Sequence, residues 1–320
     1  MDFQLDETQR EIATLAADVL GRESGTPWKA LGEAGLLALA VPERLGGDGL
    51  GVLETAVLLT EVGRRAVDVP ALATLALGVL PIVRHGTAEQ QDALLPLVTE
   101  QHGVLTAALS EPSKPLPADP RTVAGPDGIF GMKINVPYAA EAQRILVSTS
   151  NGVFVVDPSQ PGVSISDETV RFEGARGELL EGAADDIRRF ALAGAVAVAD
   201  GVLAGALDLT VEHVGTRHQF GKPLATFQAA ACLVADVYIA SRTLHLAALT
   251  AAWSLDDNDL GTAAYWLAAE ALPAVHTCHH LHGGLGLDIT YPMHRYYGLA
   301  KELTRFVGGV EHRLGAIDVH

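Results

Sequence analysis

The sequence predicts a mainly α fold with a small β domain inserted between two helical regions, an α+β class. Three observations lead there. Apolar residues recur at helical spacing from Leu5 to about Thr99. Short β-branched runs broken by Gly, Pro, Asn and Asp occupy the stretch from about Val104. Helical spacing returns from about Ala183 and continues to the end. The expected domains are an N-terminal helical domain over 1–103, a middle β domain over 104–183 and a C-terminal helical bundle over 184–320.

The first stripe is Ile12, Leu15, Ala16, Val19 and Leu20. Trp28, Leu31, Leu36 and Leu37 form a second, expected to end at Val41-Pro42. The glycines of Glu43–Gly51 mark a loop; a phosphate cradle would need a strand before it, and none precedes. Helical patterns resume at Val52–Arg65, Ala71–Arg84 and Ala88–Val98. The segments "GVLTAALSEP", "RTVAGPDGIFGMKINV", "RILVSTSNGVFVVDP" and "GVSISDETVRFEG" read as strands and hairpins. The stretch from Phe190 to Arg217 is rich in Ala and Gly, which lets helix backbones approach closely and predicts a central bundle helix. Two long patterns, Phe227–Leu255 and Leu260–Leu281, and shorter ones from Met293 and Gly308 complete the chain.

Composition narrows the function classes. Of 320 residues, 48% are hydrophobic and 19% charged, enough apolar material for a sizeable core. A net charge of −17 argues against nucleic acid or an anionic membrane surface as partner, so an anionic ligand would need a local cationic pocket. Cys232 and Cys278 stand in no metal or redox spacing, as in a reducing compartment. The start lacks the basic-then-apolar signature of a signal peptide, and the charge-free stretch Val69–Val83 is too short to span a bilayer and carries Pro70 and Pro81. A cytoplasmic protein without a membrane is the expectation.

The stretch "TRHQFGKPLATFQ", Thr216 to Gln228, puts a cation, a ring and an amide into a helix connection. Arg217 alone would read as a helix-end cation satisfying carbonyls. Lys222-Pro223 reads as turn chemistry. In "HTCHHLHGG", His276 and His280 lie one helical turn apart, but no third ligand is in register, so no metal site is expected. Glu311 is either a cofactor contact or a solvated helix carboxylate.

Here the residues carry a resemblance. "RHQFGKPLATFQ" resembles the R-x-x-F-G-x-x-x-x-x-F-Q segment of the acyl-CoA dehydrogenase flavoproteins, and "HHLHGGLGLDITYPMHRYY" resembles their Q-x-x-G-G-x-G segment. "WKALGEAGLLALAVPERLGGDGLG" and "LLPLVTEQHGVLTAALSEP" resemble the N-terminal helices and the entry to the β domain. The resemblance runs over nearly the whole chain. It implies an N-terminal helical domain, a β-barrel-like middle domain and a C-terminal four-helix bundle. It also implies FAD as cofactor and an acyl-CoA thioester as substrate, with a carboxylate taking the α-proton while the β-hydride goes to flavin. By resemblance, Arg217 reaches the pyrophosphate of a FAD held mainly by a neighbouring subunit, Phe220 packs near it and Gln228 meets its adenosine half. His280, Leu281, His282, Gly283 and Gly284 would lie along the dinucleotide, and Glu311 keeps the last carboxylate of the family's E-G-T-x-E.

The departures from the family pattern are as informative. Aligned from Ala300-Lys301, the base position is Val307; counted back from Phe220, the alternative base position is Ala191. Neither takes a proton, so this chain offers no catalytic residue at the usual places, unless Glu302, Asp185 or Asp186 is displaced into the role. The family's E-P-x-x-G-S-D loop appears as "EPSKPLPAD", where Ser110 keeps the first hydroxyl, and its W-x-T strand appears as "KINVPYA". Contacts to a neighbour's FAD persist while contacts to the chain's own flavin are eroded. That asymmetry implies the smaller, base-lacking subunit of a heteromeric α2β2 acyl-CoA dehydrogenase of the actinobacterial kind, acting on a bulky, steroid-derived CoA thioester in lipid breakdown, with a homologous subunit supplying the catalytic Glu. Two other readings stand beside it: a self-sufficient homo-oligomer with a displaced base, and a non-redox structural or binding subunit.

Overall fold

A computed structural model describes residues 3–22 and 26–317. The first and last residues of the expected end domains therefore lie outside the described residues. The fold is helix-rich with a small sheet region, the α+β class read from the sequence. Two compact units form: Met1–Ala13, Ala56–Asp68 and Ala195–His320 in one, Thr14–Thr55 and Val69–Gly194 in the other.

The helices ahead of the strands are α1 (Glu7–Leu20), α2 (Pro27–Glu33), α3 (Val52–Arg65), α4 (Leu80–His85), α5 (Ala88–Leu94) and α6 (Pro96–Thr99). Helix α2 is shorter than its apolar stripe suggests: it stops at Glu33, and Gly35 takes the left-handed region at φ 79°. Leu36 and Leu37 are nevertheless buried, so the stripe recorded burial and not helical extent. Leu72–Val79 winds as a π-helix into α4. Thr74 Oγ1 donates to the Leu105 carbonyl at 3.2 Å, and a Cβ on Gly78 would lie 2.5 Å from Leu105 Cβ, so this segment needs small residues against the first strand. Thr87 and Gln90 form a capping box at the start of α5.

The strands are β1 (Val104–Ala108), β2 (Val123–Gly125), β3 (Gly128–Lys133), β4 (Ala142–Thr149), β5 (Gly152–Val156), β6 (Val163–Ser166), β7 (Thr169–Ala175) and β8 (Glu178–Leu180). They make two four-stranded sheets, ordered β1-β4-β5-β8 and β2-β3-β7-β6. Only β1 and β4 pair in parallel in these sheets; every other pairing is antiparallel. Ile145, Val147 and Val156 from one sheet and Ile129, Val170 and Phe172 from the other share a single apolar core, as alternating strands do when one face of each sheet is covered.

The other unit takes the second half of α7 (Ala184–Thr216), then α8 (Gln228–Ser254), α9 (Asp257–Trp266), α10 (Leu272–His282), α11 (Met293–Phe306) and α12 (Gly309–Ala316). A short π-helix, Leu267–Ala271, joins α9 to α10. The expected close helix approach is present: a Cβ on Gly201 would stand 1.8 Å from the Thr60 carbonyl oxygen, and one on Gly63 would stand 2.1 Å from that of Val198. Helices α7 and α8 are long and apolar enough to cross a membrane by length and composition, a property the search for charge-free stretches did not reveal. The α7 window is 89% buried, as in a core helix, whereas that of α8 is 22% buried.

Candidate functional site

The stretch between α7 and α8 folds as a miniature hairpin. His218–Gln219 (β9) pairs antiparallel with Lys222–Pro223 (β10), which leaves Phe220 and Gly221 at the tip. Both have positive φ, 53° and 79°, as a type I′ connection requires. Glycine adopts this freely; a phenylalanine there is strained by about 1 kcal/mol. Its ring is 93% exposed, with only an edge contact to Phe227 at 6.2 Å. Lys222 is more than turn chemistry, since its ammonium sits 4.3 Å above the Phe227 ring.

Arg217 stands at the foot of this hairpin. Its N–H donates to the His213 carbonyl at 2.8 Å, and its carbonyl accepts from Leu224 at 2.8 Å. Its guanidinium is exposed and forms no ion pair or hydrogen bond among the described residues. The carbonyl-capping alternative for this side chain is therefore not what the structure shows. Gln228 opens α8, again without a side-chain partner among the described residues. Added Cβ atoms on Gly221, Gly283 and Gly284 would all meet open space, so the main chain of both segments is accessible to a ligand from outside.

In the second segment His280, Gly283 and Gly284 are exposed, Leu281 is half-buried and His282 is buried. His282 closes α10 and turns its ring inward, where Nδ1–H donates to the Cys278 carbonyl at 2.8 Å. Its side chain faces the interior; only its main chain lies along the exposed segment. The ring stacks on His213 with centroids 4.5 Å apart and planes at 22°. This stack joins the Arg217 turn to the 280–284 segment, a pairing that sequence reading passed over because His213 belongs to no motif. Glu311 is exposed in the first turn of α12, and no hydrogen bond or ion pair links it to either segment among the described residues.

Both usual base positions are core positions. Val307 and Ala191 are each 0% exposed. The Val307 carbonyl ends α11 and accepts from Arg313 Nε, so this corner is built for packing. The displaced candidates differ from one another. Asp185 is exposed and pairs with Arg188 at 3.2 Å. Asp186 is bound by Arg84, His85 and Arg189 at 2.7, 2.9 and 3.1 Å, and although burial pushes its carboxyl up, those partners hold it below the usual range, the opposite of what a base needs. Glu302 is exposed and has a partner within the chain.

The loop that would face the chain's own flavin closes on itself. Ser110 Oγ accepts from the Leu116 N–H at 3.2 Å, and Glu111 and Lys114 exchange main-chain hydrogen bonds. Glu111 is buried against Lys133 at 2.9 Å and accepts from Arg121 and Thr122. Thr106 Oγ1 takes up the Pro137 carbonyl at 2.7 Å. Thr106, Ser110, Glu111 and Lys133 are thus engaged within the chain and offer a flavin no free group, whereas the free Arg217, Gln228 and open glycines fit the phosphate and adenosine portion of a dinucleotide. No group of three or more His, Cys, Asp or Glu among the described residues can hold a metal ion.

Comparison with known proteins identifies the family. Residues 6–102 match the acyl-CoA dehydrogenase N-terminal domain, and residues 186–317 match the acyl-CoA dehydrogenase C-terminal domain. Acyl-CoA dehydrogenase FadE28 of Mycobacterium tuberculosis is 47% identical over 98% of this chain and 97% of its own length. FadE27 of the same organism is 32% identical over 97% of this chain and 91% of its own length. Among solved structures, the Tcur3481-Tcur3483 steroid ACAD superimposes with a TM-score of 0.90 at 34% identity, covering 97% of this chain and 96% of that one. The ChsE4-ChsE5 complex from Mycobacterium tuberculosis also gives 0.90, at 29% identity, covering 99% of this chain and 98% of that one. The fold, the retained segments and the relatives agree: this chain belongs to the acyl-CoA dehydrogenase family, oxidoreductases whose cofactor is FAD.

Proposed function

We propose that this chain is one half of a heteromeric acyl-CoA dehydrogenase, completing the FAD site of a homologous subunit that supplies the catalytic Glu. The observation that carries the reading is the contrast within the chain. The segments that would touch a neighbour's cofactor are exposed and unsatisfied, while the base positions and the own-flavin loop are apolar or satisfied internally. Exposed Tyr238, Ile239, Leu246 and Trp253 on α8 support an assembled state, because apolar side chains on one helix face are usually covered by a partner. Similarity to the Tcur3481-Tcur3483 steroid ACAD and to the ChsE4-ChsE5 complex supports an α2β2 assembly and a bulky, steroid-derived CoA thioester as substrate. The cytoplasm as its location and the three domains 1–103, 104–183 and 184–320 belong to the same reading.

In this role bound FAD supplies the hydride acceptor for α,β-desaturation of the thioester. Arg217 holds the pyrophosphate through charge-assisted, fork-shaped contacts. The Phe220 ring packs beside the cofactor, Gln228 offers its amide to the adenosine half, and the exposed main chain of Gly283 and Gly284 offers N–H groups. His280 and Glu311 lie on exposed surface where each could add one hydrogen bond. Val307 and Ala191 take no part in proton transfer and serve the core.

The test is to purify this chain alone and with a homologous subunit carrying an intact base. Flavin absorbance is expected only in the pair, and Arg217→Ala in the pair should weaken FAD about ten- to hundredfold, the worth of a charged hydrogen bond. A yellow, active protein from the lone chain would refute the reading.

A further inference from the structure

His213 and His282 lie outside the contacts assigned above, yet they connect them. His213 sits one turn before Arg217 and receives the Arg217 N–H on its carbonyl at 2.8 Å. His282 is the last residue of α10, directly before Gly283, whose φ of 57° and ψ of −134° is open only to glycine. The two rings stack at 4.5 Å, and Tyr291 covers the His282 ring at 5.2 Å. His282 is 4% exposed. Its Nδ1–H is fixed by the Cys278 carbonyl, and its buried Nε2 meets no partner in regular hydrogen-bond geometry.

We infer that His213 and His282 are positioning residues: a stack of two neutral rings that holds the Arg217 hairpin against the 280–284 segment and opens when either ring takes a proton. This rests on the FAD-completing reading. Stacking needs no charge on either ring, and a proton on one would face the other at close range, with the Arg217 guanidinium one turn beyond His213 adding like charge.

The surroundings support neutrality. Burial pulls His282 below its ordinary value and His279 adds to this, against the carbonyls of Cys278 and Leu209. Burial also pulls His213 down, with His282 and Arg217 adding. The charged neighbours are Glu212 on α7, which is exposed, and Arg217 directly after its end. On α10 the Cys278 thiol is pushed up by burial to about 11 and stays uncharged. Burial and Glu212 raise the Tyr291 hydroxyl, so it too stays neutral. For groups held low in the folded state, the opened form takes up protons first. The clasp is therefore intact above the ordinary histidine value of ~6.5 and is lost as pH falls below it.

The experiment measures FAD dissociation from the assembled pair, by flavin fluorescence, between about pH 8 and about pH 5. It compares the unaltered chain with His213→Phe, His213→Ala and Arg217→Ala, and far-UV circular dichroism confirms the fold. The unaltered pair should lose FAD affinity in a step below pH ~6.5. His213→Phe keeps a ring that cannot be protonated, so it should bind as tightly at neutral pH and show a smaller step, the part that His282 alone contributes. His213→Ala removes the stack and should weaken FAD about three- to tenfold at every pH. An unchanged pH profile in His213→Phe, or full affinity in His213→Ala, would overturn the clasp. Full affinity in Arg217→Ala would instead refute the FAD reading on which it rests.

Discussion

Replacing Lys133 by Met tests how the β region holds a deeply buried ion pair. Lys133 is 0% exposed; its ammonium donates to Glu111 at 2.9 Å, Ser148 at 3.0 Å and the Leu109 carbonyl at 3.2 Å. Burial pushes the Glu111 carboxyl up, but hydrogen bonds from the Arg121 N–H, Lys133 and Thr122 bring it to about 2. Burial takes the Lys133 amine down to about 8 against the attraction of Glu111. At neutral pH the two shifts act on stability in opposite directions, the lowered carboxyl favouring the fold and the lowered amine opposing it. The intact pair is thus close to neutral for stability, as buried pairs commonly are. Lys133→Met leaves the carboxylate buried with its main remaining donors on Arg121 and Thr122, and it strips the Leu109 carbonyl of a donor. The expected loss is ~3–5 kcal/mol. Adding Glu111→Gln should recover more than half of it, because no uncompensated charge then remains.

The pH dependence has two windows with opposite origins. Unfolded Glu111 binds its proton near 4.5 and the folded group only near 2, so its contribution is complete above 4.5 and is lost as pH falls toward 2. Unfolded Lys133 keeps its proton to 10.5 while the folded amine releases it near 8, so stability rises with pH between those values. Urea unfolding across both windows is the assay. In Lys133→Met the alkaline rise should vanish and the acid slope should shrink. A loss under ~1 kcal/mol with both slopes unchanged would refute the argument.

Further outcomes follow from other contacts. Gly201→Ala should destabilise by at least ~1–3 kcal/mol in thermal melts, since its Cβ would overlap the Thr60 carbonyl oxygen. Val307→Ala should cost ~1–3 kcal/mol of stability yet leave the turnover of the assembled pair within a few-fold, whereas loss of a true base costs ~100-fold or more. A thiol reagent should modify exposed Cys232 on the native chain and reach buried Cys278, whose thiol is pushed up to about 11, only after unfolding.

Much of the molecule was legible in the chain. The Val52–Arg65 stripe became a helix with those bounds, and β1 to β8 fall within the turn-punctuated stretch from Val104, while the hairpin of β9 and β10 does not. Arg217, Phe220 and Gln228 stood out because their spacing is local, and the apolar character of positions 307 and 191, both buried in the structure, was plain in the sequence. Periodicity and motif spacing are properties of neighbouring residues, so one strand of text carries them. Only tertiary structure stopped α2 at Glu33, wound Leu72–Val79 into a π-helix and left α8 with an uncovered apolar face. It alone placed Lys133 beside Glu111 and stacked His213 on His282. Those outcomes depend on which distant groups share a dry space. A buried charge or an unpartnered ring nitrogen acquires meaning only when its neighbours, far away in the chain, take water's place.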